Sequence, residues 1–303
     1  MMRVPGAYAT AVRRADGRIE TQRKPFQSIG ERFPIFKKPV LRGVISLFES
    51  LKIGLSTLQF SADAAMEDEE PEKASAENAK KNKLWEALSM VLAFALAIAL
   101  FTVLPLFLTT KLMNIEKQAL AFNLVAGFWR ILFFLVYLWL ISLMKDVQRL
   151  FQYHGAEHKT VFTFESGKML TVENTREFTT HHPRCGTSFI FIVLIAAILL
   201  FALIDSAIIG ILGTINLKLR IVFHLLMLPL VAGISYEFLK FTAAHQNRRW
   251  GRWLTQPGLW LQRITTKPPS DAQVEVAIEA LKTAFGEKLA EYEGKSYIAE
   301  AID

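Results

Sequence analysis

Four apolar stretches constrain this chain more than any other feature, because a bilayer core of about 30 Å is crossed by roughly 20 helical residues and each stretch is long enough. They run from about Ala87 to Leu108, Phe122 to Met144, Ser188 to Leu212 and Ile221 to Phe241. Hydrophobic residues make up 52% of the 303 positions, more than a soluble domain of this size accommodates. The sequence therefore predicts a mainly α fold: a polytopic membrane helix bundle of about four transmembrane helices, with a small N-terminal β element and cytoplasmic amphipathic helices. The bilayer is its expected partner.

Lys and Arg number 35 against 28 Asp and Glu, and the excess lies beside the apolar runs rather than in one block. Such a distribution sets topology and lipid contact, and it argues against nucleic acid as a partner. Between the first two runs, Thr109 to Ala121 carries only Lys111 and Lys117 as bases. The positive-inside bias then predicts a multi-pass plasma-membrane protein with both termini and the central loop in the cytoplasm. A single cysteine, Cys185, excludes an internal disulfide.

Composition shifts divide the chain further. Residues 1–38 alternate around Asp16-Gly17, a hairpin signal. Residues 39–65 show helical spacing, as an interfacial or a bundle helix, and 66–85 read as a charged cytoplasmic linker. Residues 86–144 hold the first two spans, 145–187 a cytoplasmic loop rich in His, Glu and Cys, and 188–242 the last two spans. Residues 243–303 form a cytoplasmic tail, in which Ser270 and Gln273 are spaced as a capping box before an amphipathic helix expected to dock on the bundle. Arg130, inside the second span, either faces the bundle interior or reaches for the headgroups. His224, inside the fourth, reads as a bundle hydrogen bond.

Four of the six histidines fall in the central segment with the cysteine. In His154-Gly-Ala-Glu157-His158 the two imidazoles are spaced i and i+4, so on a helix they share a face and can reach one ion. The same letters form the inverted zinc-protease pattern, in which a carboxylate acts as base. His181-His182-Pro-Arg184-Cys185 stands at the mouth of the third span, where His182 and Cys185 can complete an N and S ligand set of the kind zinc accepts. The expectation is a divalent metal, zinc above others, held by His154, His158, His182 and Cys185, with Glu157 catalytic and Arg184 or Lys159 contacting an anionic group of the substrate. Plain hydrogen-bonding histidines remain the alternative, as does Cys185 as a reactive thiol or a small buried residue.

These motifs carry a resemblance. Lys38-Pro-Val-Leu-Arg-Gly-Val44, Phe151-Gln-Tyr-His-Gly-Ala-Glu-His-Lys-Thr160, His182-Pro-Arg-Cys-Gly-Thr-Ser-Phe189, Ala232-Gly-Ile-Ser-Tyr-Glu237 and Pro257-Gly-Leu-Trp-Leu-Gln-Arg263 resemble the YqhQ-like bacterial membrane proteins, domain-of-unknown-function family 1385. The resemblance implies a metal-dependent enzyme without an established reaction, with its polar positions at His154, Glu157, His158, His182 and Cys185. Similar proteins carry a Gly-rich segment ending in Glu-Gly-Val ahead of Met-Met-Arg, whereas this sequence opens at Met1-Met2-Arg3. The leading expectation is a hydrolase with a cytoplasm-facing site. A non-catalytic scaffold with a structural metal is the alternative, and a transporter ranks last because Arg130, Asp205 and His224 are sparse polar groups for a substrate path.

Overall fold

The computed structural model describes residues 1–69, 76–183, 185–245 and 248–297. The chain opens with β1 (Met2–Val4), β2 (Ala7–Arg13) and β3 (Ile19–Pro25), an antiparallel sheet in that order. The expected hairpin is its β2–β3 pair, with Arg13 opposite Ile19 and the Arg18 amide donating to Asp16 Oδ1 at 2.9 Å across the turn. A short helix α1 (Ile29–Arg32) and a 3-10 turn (Pro34–Lys37) lead into α2 (Leu41–Glu69).

The segment expected as a linker is helical on both sides of the undescribed residues 70–75, since α2 runs to Glu69 and α3 (Ala76–Ile98) follows. The acidic-then-basic charge run without an apolar period points to a linker, but Ala, Glu and Lys are also good helix formers. The first span continues through a π turn (Ala99–Val103) into α4 (Leu104–Met113). Pro105 supplies the reason: its ring clashes with the carbonyl four residues back, at Phe101, and the wider turn relieves it.

The remaining elements are α5 (Ala119–Ile141), α6 (Lys145–Glu165), α7 (Val172–Thr175), α8 (Gly186–Leu212), α9 (Leu217–Ala244), α10 (Arg249–Thr265), α11 (Asp271–Phe285) and α12 (Leu289–Tyr292). Among the described residues, four helical segments are long and apolar enough to cross a membrane: Ala87–Met113, Ala119–Ile141, Phe189–Leu212 and Leu217–Thr242. They coincide with the four stretches read from the sequence. Much of the central segment expected as a loop is instead α6, whose buried face runs through Phe151, Gly155, His158 and Phe164.

Helix α8 is the hub of the bundle, packing on both α5 and α9. Between these three helices lies a buried polar group. Asp205 accepts from Asn123 Nδ2 at 2.6 Å and pairs with Arg220 Nε at 2.9 Å. His224 Nε2 lies 3.1 Å from its other oxygen, and Arg130 Nη2 lies 3.3 Å from His224 Nδ1. A guanidinium only donates, so His224 Nδ1 is the acceptor and Nε2–H donates to Asp205. Of the two expectations for Arg130, the structure takes the interior: the residue is 4% exposed.

At the other end of the fourth span, α2 crosses α9 at backbone contact. A Cβ on Gly233 would lie 2.5 Å from the Val40 carbonyl oxygen, so only glycine fits there. Val40 itself has φ +68°, an uncommon state for a β-branched residue, and Glu237 accepts from its amide at 3.2 Å.

Helix α11 departs from expectation. Its capping box forms as read, with Ser270 and Gln273 bonded reciprocally, but its apolar stripe packs on the sheet and α6 rather than on the spans. Val274, Ile278, Leu281 and Phe285 close a core with Val4, Ala7, Ala9, Ala156 and Phe164. The small alanines of β2 let the helix approach the sheet closely, which a stripe of larger residues would prevent.

Candidate metal centre

Helix α6 supplies the first half of the site. Its spacing places His154 and His158 one turn apart, their rings 4.4 Å between centroids. Gly155 lies between them because the chain after α10 passes close by: the Lys267 amide donates to the Phe151 carbonyl at 2.9 Å, and a Cβ on Gly155 would collide with the Lys267 carbonyl oxygen. Cys185 supplies the second half, as the N-cap residue of α8. Its Sγ is 3.1 Å from His154 Nε2, and the donor atoms of His154, His158 and Cys185 all lie within 4.8 Å of one another.

The outer nitrogens fix the tautomers. His154 Nδ1 meets the Thr265 carbonyl of α10 at 2.8 Å, and His158 Nδ1 meets the Thr180 carbonyl at 2.5 Å. A carbonyl only accepts, so both Nδ1 atoms carry protons and Nε2 of each ring is the atom left for the thiol side. Burial alone would push the Cys185 thiol up, but its hydrogen bonds to His154 and His158 and their charge bring it down to about 5. Burial likewise opposes a charged His154, yet the hydrogen bond and charge of Cys185, helped by the Thr265 carbonyl, raise it to about 9. Without a metal the pair is a thiolate facing an imidazolium.

A cavity of about 440 Å³ opens on this cluster, with Glu157, Glu165, His182 and Arg3 on its walls. Glu157 is half-buried, and its carboxylate contacts the α-amino group of Met1. His182 is buried beside His158, their rings 5.6 Å apart, but its Nε2 faces Glu165 Oε2 at 3.5 Å rather than the thiol. The His182 backbone is clamped by Gln262 of α10, whose Oε1 accepts from the His182 amide at 2.7 Å while its Nε2 donates to the carbonyl at 2.8 Å. Lys159 turns to the end of α7, donating to the Thr175 carbonyl at 3.1 Å. Burial holds its amine below the usual lysine range. Arg184 lies outside the described residues. His181 bonds Thr179 Oγ1 at 3.1 Å, outside the cluster.

Sequence reasoning brought forward His154, His158, Glu157, His182 and Cys185, all of which border one cavity. It missed Glu165, which α6 carries seven residues after His158 and so on the same face, a signal that was available. It also missed Thr180, Thr265 and Gln262. The first two act through backbone carbonyls, which leave no mark in residue type.

The protein-family model described as "Protein of unknown function (DUF1385)" matches residues 38–287. The chain is 34% identical over 278 residues to the "Uncharacterized protein YqhQ" of Bacillus subtilis (strain 168), covering 90% of this chain and 85% of the relative. No solved structure matches.

Proposed function

Since the chain belongs to the DUF1385 family, whose description states no activity, we propose from its own residues that it is a membrane-embedded, metal-dependent enzyme of hydrolase type. His154, His158 and Cys185 are the ligands, zinc is the metal their chemistry favours, and the site faces the cytoplasm. The observation that carries this reading is the pair of Nδ1–H groups anchored on the Thr265 and Thr180 carbonyls, which aims two Nε2 atoms at one sulfur. Hydrogen bonding alone does not call for that convergence.

Two imidazoles and a thiolate make three protein ligands, the number typical of catalytic zinc sites with an open position. When bound, the ion supplies Lewis acidity to water and to a carbonyl or phosphoryl oxygen. Glu157, on the wall of the same cavity, is placed to take the proton of an attacking water on a carboxylate oxygen and return it to the leaving group. Burial of His158 and Cys185 keeps the surroundings poor in water, which strengthens each of these interactions. The cytoplasmic placement is supported by the bases around the sheet and α6, against the few at the opposite end of the bundle.

His182 gives the structural-site reading its own support, because its ring lies beside His158 and a fourth ligand would close the shell. X-ray absorption of the metal-loaded protein separates the two: three protein donors plus a light oxygen scatterer fit an enzyme, four protein donors a clamp. For catalysis, metal-loaded protein is incubated with bacterial lipid and peptide extracts and products are followed by mass spectrometry. New hydrolysis products should appear with the parent and vanish in Glu157→Gln at unchanged metal content. Equal product from both would remove Glu157 from the mechanism.

A further inference from the structure

A larger cavity, of about 740 Å³, adjoins the metal cavity along β1, and Arg3 and Val4 belong to the walls of both. It is bounded by the β1–β2 turn, the segment from Phe26 to Lys37, the first turns of α2 and the last turns of α9. We propose that this cavity binds the phosphate headgroup of an anionic membrane phospholipid. The proposal rests on the bilayer reading of this end of the bundle and needs no metal at the neighbouring site.

The donors in the cavity carry the argument. Four cations line it, Arg3, Lys37, Arg42 and Lys240, against Glu31 and Glu49. With Glu237, which pairs with Arg42, the excess is one positive charge, so what decides is which groups are already engaged. Glu49 is 5% exposed and accepts from Ser28 Oγ at 3.0 Å and the Ile29 amide at 2.6 Å. Glu237 holds Arg42 and the Val40 amide. Glu31 sits exposed at the rim. By contrast Arg3, Lys37, Ser46 and Tyr236 have no side-chain hydrogen-bond partner among the described residues; the Arg3 guanidinium lies over the Phe26 ring, 4.3 Å from its centroid, which leaves its in-plane N–H groups available. The cavity thus offers donors to an oxyanion with several acceptor oxygens, and phosphate is the one that satisfies a guanidinium, an ammonium and two hydroxyls together.

The surroundings select a lipid over a soluble anion. The helix α2 is inside out for a soluble protein: Glu49 is buried, while Phe48 is 59% and Leu58 58% exposed, with Leu51 and Leu55 between them. Phe33, Ile35 and Leu41 extend this apolar edge past the cavity. An exposed apolar stripe beside a basic cavity, at the end of a span, is the arrangement that receives acyl chains and headgroup together.

The test titrates the purified full chain in detergent with dioleoyl phosphatidylglycerol, dioleoyl phosphatidylcholine and inorganic phosphate, reading bound ligand by native mass spectrometry. Phosphatidylglycerol should bind saturably and more tightly than phosphatidylcholine, and inorganic phosphate at equal concentration should not displace it. Arg3→Gln with Lys37→Gln should weaken binding about tenfold or more, whereas Lys111→Gln with Lys117→Gln, an equal charge loss at the other end of the bundle, should not. Should the double substitution fail to fold, Lys37→Glu at an exposed position must weaken binding by itself. Equal affinity for the two lipids, equal affinity of the Arg3/Lys37 variant and the parent, or displacement by inorganic phosphate would each overturn the proposal. Metal-stripped protein should bind the lipid as the parent does, so a parent that holds no metal but binds the lipid would count against the metal site alone.

Discussion

Among the described residues, two buried polar groups contain histidine, and they are built to opposite ends. In the bundle, His224 has both nitrogens engaged: Nδ1 accepts from Arg130 and Nε2 donates to Asp205. In the middle of α6, His154 and His158 each fix one nitrogen on a carbonyl and direct the other at Cys185. The first arrangement cross-links three spans and leaves no lone pair for a ligand. The second gathers two Nε2 atoms and a thiolate around one point beside a cavity, and the proton shared between His154 and Cys185 is the one that a metal ion would displace. A histidine is a ligand candidate when its second nitrogen is free, and residue type alone cannot tell the two cases apart.

The largest effect should come from breaking the cross-link. Asp205→Ala leaves Arg130 and Arg220 buried without their carboxylate and should destabilise the folded protein by about 3–5 kcal/mol, read as thermal unfolding in detergent. Metal content of the protein that does fold should not change; a variant as stable as the parent would mean that the bundle does not depend on this group.

Gln262→Leu probes the other region. It removes the two hydrogen bonds that hold the His182 backbone, and with it the turn leading to Cys185. Metal affinity should fall about tenfold or more, with the spans unaffected. Unchanged affinity would show that the turn is held by other contacts.

A pH titration sharpens the contrast further. In metal-free protein the Cys185 thiol is held down at about 5 and His154 up at about 9, so the charged pair exists between those limits. The thiolate's share of stability, fully present above the unfolded thiol value, is lost as pH falls through about 5. The imidazolium's share, fully present below the unfolded histidine value, is lost as pH rises through about 9. The ultraviolet thiolate absorbance should therefore persist at neutral pH and disappear near pH 5; disappearance near 9 would mean a neutral thiol. The smallest effect is expected for Lys159→Gln, within about 0.5 kcal/mol and without influence on metal, because its amine only caps α7. A large loss of metal there would return Lys159 to the site.

Much of this was legible in the residues. Apolar length alone located the four spans, since nothing but a bilayer or a buried core satisfies twenty such residues in a row, and Ser270 with Gln273 announced the start of α11. The i and i+4 spacing put His154 and His158 on one face. What the sequence could not carry was partnership at a distance. Asp205, His224 and Arg130 look like isolated charges in separate spans until packing of α5, α8 and α9 joins them through Asn123 and Arg220. The role of α10 was hidden for a different reason, because it acts on the site through the Thr265 backbone carbonyl, which any helix presents, and through the Gln262 side chain, whose partner is the backbone of a residue far off in the sequence.

The account stands most directly on metal per chain, measured by elemental mass spectrometry on protein purified without chelator and with zinc supplied, for the parent beside His154→Ala, His158→Ala and His224→Ala. The expected result is near-stoichiometric metal in the parent and in His224→Ala, and none in the other two. Metal absent from the parent, or retained when His154 and His158 are each replaced, would contradict the metal centre.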